Sequence, residues 1–172
     1  MKSSSWLGEA SLAVVCLCLL AEIPLSAQRY SFKTYGPDEG LTTAVNGLLQ
    51  DRDGFLWVAT SNGLLRYDGG EHFQRFGIAE GLPGVQVYNL RQSADGTLFV
   101  VTSKGLARSR QSRFERVDTV LAEGSEVLSD LDFDAQGRLY LGTVKGLLIG
   151  EGAPIQFHFA EGVPHFADFI EK

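Results

Sequence analysis

Short apolar runs recur along the chain at a nearly constant spacing. Each run follows a glycine and ends in a threonine, with a Gly-Leu pair beginning three residues later. The leading glycines Gly54, Gly96 and Gly137 are 42 and 41 residues apart. This period predicts a repeat architecture in which neighbouring units bury a continuous core. The repeated positions, which we expect to be structural, are Gly54, Trp57, Thr60 and Gly63, then Gly96, Phe99, Thr102 and Gly105, then Gly137, Tyr140, Thr143 and Gly146.

A second marker recurs with the same period but out of phase with the first. It is a Glu-Gly pair at 39–40, 80–81, 123–124 and 161–162. An aromatic residue precedes three of the four pairs, at Tyr35, Phe76 and Phe159. Two interleaved markers with one period strengthen the prediction of a repeat.

Each unit has the pattern of four short strands. In the first unit we place them at 45–50, 55–60, 64–67 and 72–76. The segment 51–54 reads Asp-Arg-Asp-Gly and 61–63 reads Ser-Asn-Gly, and both suit tight turns. The run at 55–59 is apolar on both faces, which indicates a sheet covered on both sides. Four strands in roughly 40 residues predict an all-β fold, namely a β-propeller of four-stranded blades.

The repeats do not fill a closed ring. We expect a partial propeller over 28–172, with about three and a half blades. Its full repeats span about 41–76, 82–117 and 125–159, and its part-blades span 30–36 and 165–172. Residues 32–35 precede the first Glu-Gly marker and are expected to form the fourth strand of a blade. A propeller has at least four blades, so the sequence predicts a fragment or a chain that another copy completes. A different all-β arrangement is a third possibility.

Residues 51–68 resemble the two-component regulator propeller repeat, and the Glu-Gly-Leu-Pro at 80–83 is similar to that family's connector. The resemblance extends over about 30–172. It is weaker in the later units, where Phe99 and Tyr140 replace the tryptophan. It implies a bacterial sensor whose propeller lies outside the cytoplasm and often binds saccharides. It also implies a membrane helix and a histidine kinase farther along a longer chain.

The first 27 residues have the pattern of a secretory signal peptide. Lys2 precedes an apolar run at 10–21, and small residues end the segment at 26–27. The run has 12 residues, whereas a membrane span needs about 20. The sequence thus predicts a periplasmic or secreted protein, with an uncleaved anchor as the alternative. Both cysteines, Cys16 and Cys18, would leave with the signal, so no disulfide is expected.

Charge and motif searches exclude several function classes. The net charge is −6, and an acidic chain without a basic block is a poor nucleic-acid binder. The three histidines lie in strand or connector segments, and the chain has no room for a kinase core. Residues 132–137 resemble the start of a calcium loop, but the loop's closing glutamate is missing. His158 and His165 have no zinc-motif spacing. We therefore predict no catalytic residue, metal or cofactor.

Aromatic residues at one repeated position are expected to pack between blades, while a ligand site is expected where the repeat is broken. The weakly indicated ligand-binding residues are Tyr35, Arg66, His72, Tyr88 and Lys104. The predicted partners are a saccharide or other small extracellular ligand, and further blades or a second copy of the chain. Contact with a membrane is expected only through an uncleaved signal or a C-terminal part.

Three functions remain open on the sequence. The favoured one is the extracytoplasmic ligand-sensing module of a two-component protein, without catalysis of its own. The second is a secreted binding or scaffold propeller that an oligomer completes. The third is part of a propeller enzyme such as a lyase, which would need a His, Glu or Arg cluster in blades beyond those present.

Overall fold

The computed structural model describes residues 32–70, 72–119 and 128–162, which form three four-stranded antiparallel sheets. Blade 1 has strand order β1-β2-β3-β4, blade 2 has β5-β6-β7-β8 and blade 3 has β12-β11-β10-β9. The strands are β1 Val45–Gln50, β2 Leu56–Thr60, β3 Gly63–Tyr67, β4 Gln74–Phe76, β5 Val87–Gln92, β6 Leu98–Thr102, β7 Gly105–Arg110, β8 Arg113–Val117, β9 Leu128–Phe133, β10 Leu139–Thr143, β11 Gly146–Glu151 and β12 Gln156–Phe159.

The all-β prediction and the four-stranded unit are confirmed. The predicted strands of the first unit match β1 to β4 to within two residues at each end. Helical geometry in the described part is limited to the 3₁₀ turns Pro37–Glu39 and Ile78–Glu80. No helix there is long and apolar enough to cross a membrane. The predicted signal peptide, the part-blade 165–172 and the start of the third repeat lie outside the described residues.

The predicted fourth-strand segment at 32–35 is not a strand in the structure. A fourth strand forms by hydrogen bonding to the third strand of its own blade. The described residues supply no such strand before blade 1, because β1 begins at Val45. The assignment of 30–36 to a neighbouring blade therefore remains a prediction, and the described blades form an open arrangement.

The repeated threonine closes the hairpin between the second and third strands of every blade. In blade 1, Thr60 Oγ1 donates to the Gly63 carbonyl oxygen at 2.7 Å and accepts the Asn62 N–H at 3.1 Å. Gly63 has φ +113°, a left-handed conformation that a side chain would strain. Thr102 and Thr143 make the same pair of bonds. This contact explains why the threonine and the following glycine repeat together.

An aspartate orders the turn between the first two strands of blades 1 and 3. Asp51 Oδ1 accepts the Phe55 N–H at 2.9 Å, and Asp51 Oδ2 accepts Trp57 Nε1–H at 2.6 Å. In blade 3, Asp134 likewise accepts the Tyr140 hydroxyl at 3.1 Å. The repeated aspartate therefore caps its turn, as predicted, and also binds the aromatic residue six positions later.

Two hydrophobic cores lie between neighbouring blades. Leu90 and Leu131 are at one repeated position of the first strand, and both are buried. The first core joins blades 1 and 2 through Trp57, Ala59, Leu64, Phe76, Leu82, Val87, Leu90, Leu98, Val100, Ala107 and Phe114. The second joins blades 2 and 3 through Phe99, Val101, Leu106, Val117, Leu131, Leu139, Leu141, Leu148 and Phe157. Trp57 and Phe99 are each 5% exposed, which confirms the predicted packing of these aromatics between blades.

The Glu-Gly marker forms the connector between blades. Glu80 Oε2 accepts the Gly77 N–H at 2.7 Å and holds a tight 3₁₀ turn. Leu82 follows this turn and is 2% exposed in the first core. Glu39 makes the same bond to the Gly36 N–H at 2.7 Å. The marker thus fixes the path of the chain from one blade to the next.

Candidate functional site

Two grooves lie between adjacent blades at repeat-equivalent positions. The narrow groove, between blades 1 and 2, has a volume of about 230 Å³ and is bordered by Phe55, Trp57 and Arg66. The wide groove, between blades 2 and 3, has a volume of about 590 Å³ and is bordered by Thr97, Phe99 and Arg108. Both open beside the turns that join the first and second strands. The wide groove is large enough for a small ligand and is the candidate site.

The wide groove is larger because smaller side chains occupy its equivalent positions. Thr97 replaces Phe55, and Phe99 replaces Trp57. In the narrow groove the Arg66 guanidinium lies 4.5 Å from the centre of the Phe55 ring. Thr97 offers no ring, so Arg108 lacks that stacking partner. The floor of the wide groove includes Phe99, whose ring meets Phe133 edge-on at 5.4 Å.

Paired charges form one wall of the wide groove. The strand registers place Arg108 opposite Glu115, as they place Arg66 opposite Gln74 in blade 1. Arg108 Nη2 lies 2.6 Å from Glu115 Oε1, and Arg110 Nη1 lies 3.0 Å from Glu115 Oε2. Hydrogen bonds from Arg110 and Arg108 lower the pKa of the Glu115 carboxyl, so it stays ionised. Two guanidinium groups thus share one carboxylate.

Carboxylates and backbone also line the wide groove. Asp95 lies in the turn after β5, and Glu151 ends β11. The Ser93 hydroxyl and the Thr97 N–H bind Asp95 Oδ1, and these bonds lower the pKa of the Asp95 carboxyl. The groove therefore offers a cationic wall, an anionic border and an apolar floor. This combination suits non-covalent binding of a polar ligand with an apolar face.

The structure does not bring the five predicted ligand residues into one site. Arg66 borders the narrow groove and donates to Gln74 Oε1 at 2.6 Å. His72 is exposed in the turn before β4, and Lys104 is exposed in the hairpin between β6 and β7. Tyr88 is half-buried against the second core. None of these four borders the wide groove, and their roles in ligand binding remain predictions.

Tyr35 has the contacts of a blade-packing residue. It precedes its Glu-Gly marker by the same number of residues as Phe76 does. The Tyr35 ring meets Phe73 at 5.8 Å and 79°, and the Phe76 ring meets Phe114 at 5.7 Å and 84°. The Tyr35 hydroxyl also lies 2.8 Å from the Tyr67 hydroxyl. This matching geometry favours the predicted position of Tyr35 in a neighbouring blade.

The first strands of blades 2 and 3 carry a separate polar group. Asn89 Nδ2 donates to Asp130 Oδ1, and Arg91 Nε lies 3.7 Å from Asp132 Oδ1. Asp132 is 77% exposed at its side chain, so the ion pair is weak. Among the described residues, no three His, Cys, Asp or Glu side chains are placed to hold a metal ion.

Sequence reasoning missed the residues that make the wide groove distinctive. Thr97, Arg110 and Glu115 lie at repeat positions whose counterparts in blade 1, namely Phe55, Asp68 and Gln74, differ in size or charge. A comparison of units at the positions next to the repeated ones would have found them. A second signal is local charge, because 108–116 holds four arginines in an acidic chain.

Comparisons with known proteins agree with this fold. Residues 40–62 match the family described as two component regulator propeller. The extracellular domain of the putative hybrid two component system BT4673 from B. thetaiotaomicron has a TM-score of 0.66 at 23% identity. The extracellular domain of the putative hybrid two component system BT3049 from the same organism has a TM-score of 0.66 at 17% identity. These alignments cover 80% and 78% of this chain but only 19% of each of those domains.

A second group of similar structures consists of lyases. Virginiamycin B lyase from Staphylococcus aureus has a TM-score of 0.55 at 14% identity, with 72% of this chain and 43% of the lyase aligned. At such identities the likeness shows the shared propeller fold alone. The chain spans about a fifth of the two-component extracellular domains, and no curated protein matches it.

Proposed function

We propose that this chain is part of an extracytoplasmic ligand-sensing propeller of a bacterial two-component signalling protein. In this proposal the wide groove binds a saccharide or another small extracellular ligand. The chain itself is not catalytic, and a kinase would lie in a longer parent protein. Export by the predicted signal peptide would place the propeller in the periplasm or outside the cell.

The observation that carries the proposal is the break in the repeat at the wide groove. Both grooves have an arginine paired across the sheet with the repeated aromatic residue, but only one of the two has room for a ligand of ordinary size. The family match at 40–62 and the likeness to extracellular two-component domains support a sensing role. The likeness to lyases concerns the fold, and function depends on the site.

The experiment is to fill the wide groove with the residue that fills the narrow one. Thr97→Phe restores the ring of Phe55 at the equivalent position, and it should abolish binding of any ligand found in a saccharide panel by calorimetry. Phe55→Thr is the matched control, because it enlarges the other groove and should leave affinity unchanged. Retained binding by Thr97→Phe, with its melting temperature unchanged, would place the ligand elsewhere.

A further inference from the structure

The hairpin of β7 and β8 in blade 2 carries a charge unlike that of the rest of the chain. Residues 105–117 hold Arg108, Arg110, Arg113 and Arg116 against a single Glu115, a net charge of +3. The equivalent segment 63–76 of blade 1 has a net charge of zero, and 146–159 of blade 3 has −1. The whole chain has −6. The charge is therefore a local property of this hairpin.

The four arginines divide into two pairs with different surroundings. Arg113 Nη2 donates to the Ala79 carbonyl oxygen at 2.7 Å, and Arg116 Nη1 donates to the Lys104 carbonyl oxygen at 2.9 Å. Both therefore brace turns of the backbone. Arg108 and Arg110 instead border the wide groove with Glu115, as described above. One carboxylate cannot neutralise two guanidinium groups, so this wall keeps a surplus positive charge.

The carboxylates and apolar residues that line the wide groove suit other parts of the same ligand. Asp95 and Glu151 offer carboxylate oxygens, which accept hydrogen bonds from hydroxyl groups. Phe133 and Ile155 give the floor a half-buried apolar surface. A sugar ring has an apolar face, several hydroxyl donors and, in acidic sugars, an anionic group. Each of these features has a counterpart in the groove.

We propose that the wide groove binds an acidic saccharide whose carboxylate or sulfate contacts Arg108 and Arg110. The sugar hydroxyls donate to Asp95 and Glu151, and the apolar face of the ring lies on the floor. Guanidinium groups bind such anions through paired, charge-assisted hydrogen bonds. This inference rests on the proposed function, because it names the class of ligand for the same groove.

An anionic membrane surface fits the arginines less well. A lipid surface attracts cations that project together on one exposed face. Here Arg108 and Arg110 share Glu115 beside a recess that Asp95 and Glu151 also line, while Arg113 and Arg116 contact backbone carbonyls. A recess of about 590 Å³ favours a discrete ligand over a flat surface.

The test compares acidic and neutral sugars on the full chain by calorimetry. The panel contains carboxylated, sulfated and neutral oligosaccharides, with trigalacturonate and its methyl ester as a pair in which esterification removes the charge and adds a methyl group to each carboxyl. We expect an acidic member of the panel to bind. Arg110→Gln should lower the affinity for that saccharide roughly tenfold or more, which is the usual effect of losing a charged hydrogen bond. Arg113→Gln, outside the wide groove, is the control and should change affinity less than twofold. Binding should also weaken as salt rises.

Each other result overturns part of the argument. If neutral sugars bind and acidic ones do not, or if the methyl ester binds as tightly as the acid, the acidic class is wrong and the sensing proposal survives. If no saccharide binds, the acidic-saccharide inference is overturned, and a sensing role would need another small extracellular ligand in the wide groove. If the chain instead binds phosphatidylglycerol vesicles and Arg110→Gln and Arg113→Gln weaken this equally, the hairpin is a membrane contact.

Discussion

The interface between blades 1 and 2 and the interface between blades 2 and 3 have cores of the same pattern but differ at their edge. In both, an aromatic residue of the second strand is 5% exposed against the next blade. At the edge, Phe55 fills the narrow groove while Thr97 leaves the wide groove open. The difference teaches that the repeat determines how blades pack, while the positions beside it determine where a ligand could bind.

The largest expected effect tests the repeated aromatic position in the two cores. Trp57→Ala should lower the free energy of unfolding by about 3–5 kcal/mol, because it removes a buried ring and leaves a cavity. Phe99→Ala should cost about 1 kcal/mol less, since Phe99 has no counterpart to the hydrogen bond from Trp57 Nε1 to Asp51. Urea unfolding of both variants measures the difference. A neutral Trp57→Ala would contradict the role of this position in both interfaces.

The next largest effect tests the connector that leads from blade 1 to blade 2. Gly40 and Gly81 have nearly the same backbone, with φ of +97° and +99°. A Cβ at Gly81 would lie 2.0 Å from the Phe114 carbonyl oxygen, whereas at Gly40 no heavy atom of the described residues, apart from the adjacent residues in the chain, lies within 4 Å of a Cβ. Gly40→Ala should cost about 1–2 kcal/mol from strain in the left-handed region. Gly81→Ala should cost about 1–3 kcal/mol more from overpacking.

Thermal and urea unfolding of the two alanine variants decide this prediction. Equal losses of stability would mean that the connector can move away from Phe114 without cost. The connector would then not fix the spacing between blades, and the packing of Leu82 in the first core would have to hold blades 1 and 2 together by itself.

The sequence predicted the parts of the fold that repeat. The period, the four strands and the packing role of Trp57 followed from patterns that occur in every unit, and the structure confirms them. The predicted strand at 32–35 did not form, because strand geometry depends on a hydrogen-bonded neighbour that the segment itself cannot supply. Local composition carries no information about such a partner.

The candidate site was largely beyond sequence reasoning. Arg108 and Glu115 are neighbours only through the register of β7 and β8, and Thr97 matters only because it lacks the ring of Phe55. A groove is space between blades, so its size depends on side chains from separate segments. The Tyr35 ring contact with Phe73 corresponds to the contact of Phe76 with Phe114, and the role of Tyr35 in ligand binding remains a prediction.

The smallest expected effect concerns the turn aspartate. Blade 3 has this residue as Asp134, whereas blade 2 has Ser93 at the equivalent position. Burial of the Asp134 carboxyl would raise its pKa, but hydrogen bonds from the Arg138 side chain and N–H and from the Tyr140 hydroxyl outweigh it and lower the pKa to about 2. An unfolded aspartate has a pKa of about 4. Asp134 therefore stabilises the fold above pH 4, and this contribution is lost as pH falls from about 4 to about 2.

Asp134→Asn should flatten the decline of the urea midpoint over that window. Asp132→Asn, 77% exposed at its side chain, is the control and should keep the decline of the parent chain. A parent-like decline in Asp134→Asn would mean that the carboxylate contributes no more to blade 3 than Ser93 does to blade 2.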